Sequence, residues 1–174
     1  MTGKGFEFAA ASELLLRGIV CHMATVDAGV DIMSWSRTGR RIKIQVKGRN
    51  FSGHGSGVET VHFSSNALDD PSTRPDFVIV VLRYTQGALT GPKYGSKSYL
   101  VLPGDKLEDL ERQGYLSAAD GGEKKKLQFN ATFNESNGIA SRVVLQKSYG
   151  RRQEGYDASR YLSAWNQIIE DKGF

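Results

Sequence analysis

Only one cysteine, Cys21, occurs among the 174 residues of the chain. A single thiol can form neither an intramolecular disulfide nor a thiolate zinc cluster, so the fold must hold by packing alone. No apolar run is long enough to span a bilayer, which argues against a membrane partner. The opening Met1-Thr2-Gly3-Lys4-Gly5 lacks the apolar core of a signal peptide, and a cytoplasmic location is the resulting expectation. The phosphate-loop pattern Gly-x-x-x-x-Gly-Lys-Ser/Thr is also missing. No internal repeat, low-complexity tract or second domain interrupts the chain. What remains is 39% hydrophobic and 24% charged, enough for one globular domain over residues 1–174 with a sizeable core. Net charge is +4 and the pI near 9.2, a mild basicity that permits nucleic-acid binding without requiring it.

The elements follow from periodicity. Gly5 to Gly18 reads as a helix rich in alanine and leucine, closed by Gly18. Its wheel sets Glu7 on one face with Ala10, Ala11 and Leu14, while Glu13 and Arg17 fall on the exposed side. Glu7 is then either a first-turn acid favoured by the helix dipole or an acid turned toward a site. Ile19 to Thr25 reads as a strand and Asp27-Ala28-Gly29 as a turn, with Asp27 a turn residue that rivals Asp31 as a ligand. His22 reads as an ordinary strand side chain. Farther on, Val58 to Phe63 reads as a strand, and Ser64 to Leu68 as a short serine-capped helix. Asp76 to Leu82 is a continuous β-branched run, the pattern of a central strand covered on both faces, with Asp76 an acid at its edge.

The most informative stretch runs from Val30-Asp31-Ile32 to Ile42-Lys43-Ile44-Gln45-Val46-Lys47. Two strands joined at Thr38-Gly39-Arg40 make a hairpin. In the second, Ile42, Ile44 and Val46 face one way and Lys43, Gln45 and Lys47 the other. Asp31 heads a hydrophobic run, where an ionised carboxylate loses hydration unless a cation or donor compensates it. Hairpin pairing brings Asp31 to the Gln45/Lys47 edge. A carboxylate, an amide oxygen and an ammonium around one small volume suit divalent-metal phosphodiester hydrolysis, because Mg²⁺ takes hard oxygen ligands and needs few carboxylates.

The spacing Gly29-Val30-Asp31…Gln45-Val46-Lys47 resembles the PD-(D/E)xK, or restriction-endonuclease-like, nuclease superfamily. It is most similar to branches carrying glutamine for the usual acid, such as Mrr-like restriction enzymes and some homing endonucleases. The resemblance implies an α/β three-layer sandwich with a mixed central sheet flanked by helices on both faces. It implies a core over about residues 5–103 and a C-terminal elaboration over about 104–174. It further implies an Mg²⁺- or Mn²⁺-dependent DNA endonuclease with catalytic residues Glu7, Asp31, Gln45 and Lys47. The metal ligands would be Glu7, Asp31, Gln45 and the backbone carbonyl of Val46, with Lys47 orienting the attacking water. Gln45 removes one negative charge, so a degenerate domain that binds nucleic acid or protein without cutting is the alternative. A third reading is an interaction domain in which Asp31 and Lys47 form only a salt bridge.

DNA is the expected partner. Arg49 begins a glycine-rich stretch, Gly48 to Gly57, that reads as a substrate flap with His54 nearby or as a plain hairpin tip. Lys147, Arg151 and Arg152, interleaved with Tyr149 and Gly150, can grip phosphates and stack on bases, or form a plain surface loop. Thr85 to Ser98 reads as a polar surface loop, Tyr99 to Leu102 as a strand and Pro103 to Gln113 as an amphipathic helix. Glu123 to Lys126 reads as a solvated charge run, and Leu127 to Phe133 and Ser141 to Gln146 as strands paired across Asn137-Gly138. A last helix is expected from Asp157, its stripe Tyr161, Leu162, Trp165, Ile168 and Ile169 packing on the core or on a second subunit. Cutting both strands calls for two sites, so a homodimer or higher homo-oligomer is expected.

Overall fold

A computed structural model describes residues 3–25, 29–51, 59–85, 95–133, 138–147 and 155–171. Helix α1, Gly3–Leu16, buries Phe6, Glu7, Ala10, Ala11 and Leu14, the face read from the wheel. Its end is a Schellman turn. Gly18 takes φ +76° and donates its N–H to the Leu15 carbonyl at 2.9 Å, while Ile19 N–H reaches Leu14 O at 3.0 Å.

Strands β1 (Cys21–Met23), β2 (Ile32–Trp35) and β3 (Arg41–Phe51) follow. The β2–β3 hairpin forms at the expected place, with Gly39 at φ +77° and Ile32 paired to Ile44, Ser34 to Ile42. Strand β4 (Glu59–Ser64), helix α2 (Ser65–Asp69) and strand β5 (Phe77–Tyr84) come next. β5 lies parallel to β3, with Gln45 beside Val78 and Lys47 beside Val80, and antiparallel to β6 (Lys97–Pro103). The main sheet therefore has the order β1-β2-β3-β5-β6 and is mixed. Val78 through Leu82 are fully buried, as a strand covered on both faces requires.

On one face of this sheet lies α1. Its Phe6, Ala10 and Leu14 pack with Ile32, Ile44, Val46, Ile79 and Val101, joined by Trp165 and Ile168. The other face is covered mainly by a second sheet, where helices were expected from the sequence. This sheet contains β4, β8 (Lys124–Phe133), β9 (Ala140–Gln146) and β10 (Gly155–Asp157), with β7 (Leu116–Ala119) beside β8. Helices do reach this layer, as Leu68 of α2 and Leu107 and Leu110 of α3 (Gly104–Arg112) join its core. The order α1-β1-β2-β3-β4-α2-β5 matches the expected helix-strand-strand-strand-helix-strand order once β4, a strand of the second sheet, is set aside.

Three local expectations fail. The long last helix is instead β10, a 3₁₀ turn at Ser159–Tyr161, and a short helix α4 at Asn166–Asp171. Between them Leu162 bridges to Leu100, Ser163 N–H donates to Tyr99 O at 2.7 Å, and Ser163 takes φ 52°. Pairing with β6 overrides helical periodicity there, and Tyr161, Trp165 and Ile168 are buried in the core. Ser98 belongs to β6 and not to a surface loop, and its buried hydroxyl accepts the Ala140 N–H at 2.7 Å. The charge run is not fully solvated either. Lys125 is only 9% exposed, its ammonium held by Asp69 of α2 and, at 2.9 Å, by Glu111 of α3. Burial pulls that ammonium toward neutrality, but the hydrogen bonds and charges of the two acids outweigh it and hold its pKa above the ordinary lysine value. No helix among the described residues is long and apolar enough to cross a membrane.

Candidate metal and nucleic-acid site

Asp31 lies one residue before β2, where its backbone N–H still donates to Ile44 O at 3.0 Å. Its carboxylate reaches across the hairpin, and Oδ2 accepts the Val46 N–H at 2.6 Å. The acid is thereby fixed beside the middle residue of Gln45-Val46-Lys47. That bond also answers the desolvation cost of a carboxylate at the head of an apolar strand.

Alternation along β3 sends Val46 into the layer beneath α1 and turns Gln45 and Lys47 to the opposite face. Both line an open cleft of about 1240 Å³. Gln45 is only 3% exposed, and its Oε1 has no hydrogen-bond partner among the described residues. An unpaired buried amide oxygen costs about 1–3 kcal/mol, so one that persists needs an explanation. Lys47 is half-buried, its Nζ 5.8 Å from the centroid of the Phe63 ring.

Glu7 is buried, 8% exposed, and its Oε2 accepts from Lys4 Nζ at 2.7 Å. It lies in the α1 layer next to Phe6, across the sheet from Gln45 and Lys47. Neither Glu7 nor Asp31 is part of the cleft lining. Among the described residues no cluster of three His, Cys, Asp or Glu side chains stands ready for a metal. The donors that the hairpin brings together are one carboxylate, Asp31, the Gln45 amide oxygen and the Val46 carbonyl, all hard oxygens of the kind Mg²⁺ or Mn²⁺ takes.

The far wall of the cleft was not foreseen. His62 and Phe63 of β4, Asn66 and Asp69 of α2, Asp70, Thr73, Glu123 and Lys124 line it. Only the β4–β8 pairing, with Ser64 opposite Lys124, brings these segments together. The one local signal was the polar-apolar alternation Thr60-Val61-His62-Phe63-Ser64, which turns His62 away from the core.

Arg49, expected at a phosphate, is half-buried and bound within the protein. Its guanidinium donates to the Thr60 and Gly48 carbonyls, the latter at 3.0 Å, and lies 4.0 Å from Glu59. Lys147 sits with its Nζ 5.5 Å from the Tyr115 ring centroid. Arg151 and Arg152, with Asp27, His54, Tyr149, Gly150 and most of the glycine-rich stretch, lie outside the described residues. His22 packs edge-on against Trp35, an ordinary strand contact. Asp76 is structural, accepting from Arg40 at 3.0 Å and from the Lys43 N–H at 2.8 Å.

No family model matches the chain, and no curated protein matches it. Among the solved structures similar in fold are two nucleases. One is the bacterial homing endonuclease I-Ssp6803I, at 15% identity and a TM-score of 0.49, covering 97% of this chain and 90% of that one. The other is Hjc, a Holliday junction resolvase of Archaeoglobus fulgidus, at 15% identity and a TM-score of 0.41, covering 72% of this chain and 82% of that one.

Proposed function

We propose that the chain is a divalent-metal-dependent DNA endonuclease hydrolysing phosphodiester bonds at the Asp31–Gln45–Lys47 end of the hairpin. The observation that carries this reading is the buried, unpaired Gln45 oxygen beside a carboxylate pinned to the next residue's N–H. A divalent cation held beside Asp31 would supply the partner that this oxygen lacks among the described residues. Asp31, Gln45 and the Val46 carbonyl would hold Mg²⁺ or Mn²⁺, whereas Glu7, paired with Lys4 in the α1 layer, lies across the sheet from Gln45. When bound, the ion supplies Lewis-acid polarisation of the phosphate and a more acidic water.

The protein's own groups do the rest. Asp31 is oriented by Val46 N–H, so one carboxylate oxygen is occupied and the other is directed by it. The Lys47 ammonium, on the same side of β3 as Gln45, would steady the negative charge that grows on the attacking oxygen and the phosphate. Its position over the Phe63 ring limits where it can swing. Phe63 and the packed wall behind it restrict water on that side. DNA phosphates would be held by cations around the cleft, with Lys147, Arg151 and Arg152 farther along the chain. A homodimer or higher oligomer in the cytoplasm belongs to the same reading, since two sites serve two strands.

The test separates cutting from binding. Lys47→Ala should abolish cleavage of DNA in Mg²⁺, a loss of roughly 10²–10³ in rate or more, while affinity in EDTA stays within a few-fold. Full cleavage by the variant would defeat the assignment of Lys47. A wild-type protein that binds DNA but cuts no form of it with Mg²⁺ or Mn²⁺ would favour the second reading, a nuclease-like domain that binds without cutting. Two observations support that alternative: Gln45 contributes no charge, and the Glu7 carboxylate is already paired with Lys4.

A further inference from the structure

The side of β3 that carries Gln45 and Lys47 carries two more cations. By the same alternation Arg41 and Lys43 share it, and both line a second cavity, of about 270 Å³, with Val30, Met33, Ser72 and Thr73 among its other walls. Among the described residues no carboxylate lines this cavity. It continues from the larger cleft, because Thr73 lines both, Val30 follows Gly29, and Lys43 precedes Gln45 by one strand repeat.

The charges here differ from those around them. Nearby Arg40 and Arg74 are neutralised, the first by Asp76 at 3.0 Å and the second by Glu108. Arg41 is exposed and has no hydrogen-bond or ion-pair partner among the described residues. Lys43 is half-buried, and its Nζ donates to a neutral group, the Ser72 carbonyl, at 2.8 Å. Asp70 is close enough to feel the Lys43 charge, but both its oxygens are engaged by Ser72, at 2.8 Å each. Two cations therefore flank a small cavity with apolar walls and, among the described residues, no acid in its lining.

We propose that this cavity is a subsite for the backbone of the same DNA strand that enters the Gln45–Lys47 cleft, with Arg41 and Lys43 contacting its phosphodiesters. The inference rests on the nuclease-like reading above. A strand advances about 3.3 Å per residue, so Lys43 lies roughly 7 Å and Arg41 roughly 13 Å along β3 from Gln45. A duplex rises about 3.4 Å per base pair along its axis, so contacts this far along β3 fall within a few nucleotides of the reacting phosphate. Val30 and Met33 supply apolar surface for the sugar or base edge that accompanies each phosphate.

The test is binding of a labelled DNA duplex in EDTA, measured across a salt series from 50 to 200 mM. Each lost phosphate contact should lower the slope of log K against log salt by about 0.9. Arg41→Gln and Lys43→Gln should each lower it by that amount and weaken binding about 5- to 10-fold at 0.1 M salt. Arg112→Gln removes the same charge from an exposed position on α3 and should leave both quantities unchanged. Lys43→Arg should keep the wild-type slope. Arg41 is exposed and its side chain makes no hydrogen bond or ion pair among the described residues, so its variant decides the matter even if Lys43→Gln proves unstable. A wild-type slope in Arg41→Gln, or an equal drop in Arg112→Gln, would overturn the subsite. Failure of the wild-type protein to bind DNA at all would overturn the underlying reading as well, a distinguishable result.

Discussion

Gly48 is where the helix that carries Glu7 meets the strand that carries Gln45 and Lys47. A Cβ built on Gly48 would stand 1.9–2.4 Å from three ring atoms of Phe6, far inside contact distance. Phe6 is buried and cannot swing into solvent without leaving the core it shares with Ile44 and Val46. Gly48→Ala should therefore act as overpacking, costing about 1–3 kcal/mol. The assay is urea unfolding of four proteins: wild type, Gly48→Ala, Phe6→Ala and the double variant. Phe6→Ala alone should cost about 3–5 kcal/mol through the cavity it leaves. In that background the new methyl has room, and Gly48→Ala should become neutral or stabilise by up to about 1 kcal/mol, because alanine restricts the unfolded chain more than glycine does. The reasoning is refuted if Gly48→Ala costs the same in both backgrounds, since the coupling would then be zero.

The remaining predictions concern the core, pH and assembly. Trp165→Ala, at a position 2% exposed, should lower stability by about 3–5 kcal/mol without dissociating an oligomer, measured by thermal unfolding beside sedimentation. Burial, with a smaller push from the Glu13 charge against an opposing Arg17, raises the Tyr99 phenol to about 12. Its folded pKa thus exceeds the unfolded value of about 10, so its stabilising share is complete below pH 10 and is lost as pH rises toward 12. Denaturant midpoints at pH 8 and pH 11 should fall farther apart for wild type than for Tyr99→Phe. Sedimentation with and without DNA should give a dimer or larger species, and only monomer in both conditions would remove the assembly from the account.

Much of the site's scaffold was legible because its signals are local. Strand β3 alternates cleanly, Gly39 and Gly18 mark turns that need positive φ, and β5 is apolar on both faces. Hairpin register then follows from the turn, and with it the meeting of Asp31 with Gln45-Val46-Lys47. What was missed depends on distant partners. Lys125 looked solvated because its own neighbours are charged, and only the folding of β8 beside α2 and α3 surrounds it with Asp69 and Glu111. The stripe at Tyr161 to Ile169 buries Tyr161, Trp165 and Ile168 in the core, with Leu162 and Ile169 partly buried against it. The helix nevertheless broke at Ser163, where hydrogen bonding to β6 outweighs propensity. Arg49 illustrates the limit in the other direction, since a cation next to a candidate site proved to be a clamp on the Thr60 carbonyl.

The central claim is that the buried Gln45 oxygen and the Asp31 carboxylate share a cation. Crystals soaked in Mn²⁺ and measured at the manganese absorption edge test it directly. The account predicts an anomalous peak between Asp31 and Gln45, with ligand distances of about 2.0–2.6 Å, that disappears in Asp31→Asn. An empty site at millimolar Mn²⁺, with Gln45 Oε1 hydrogen-bonded to a protein group instead, would contradict it.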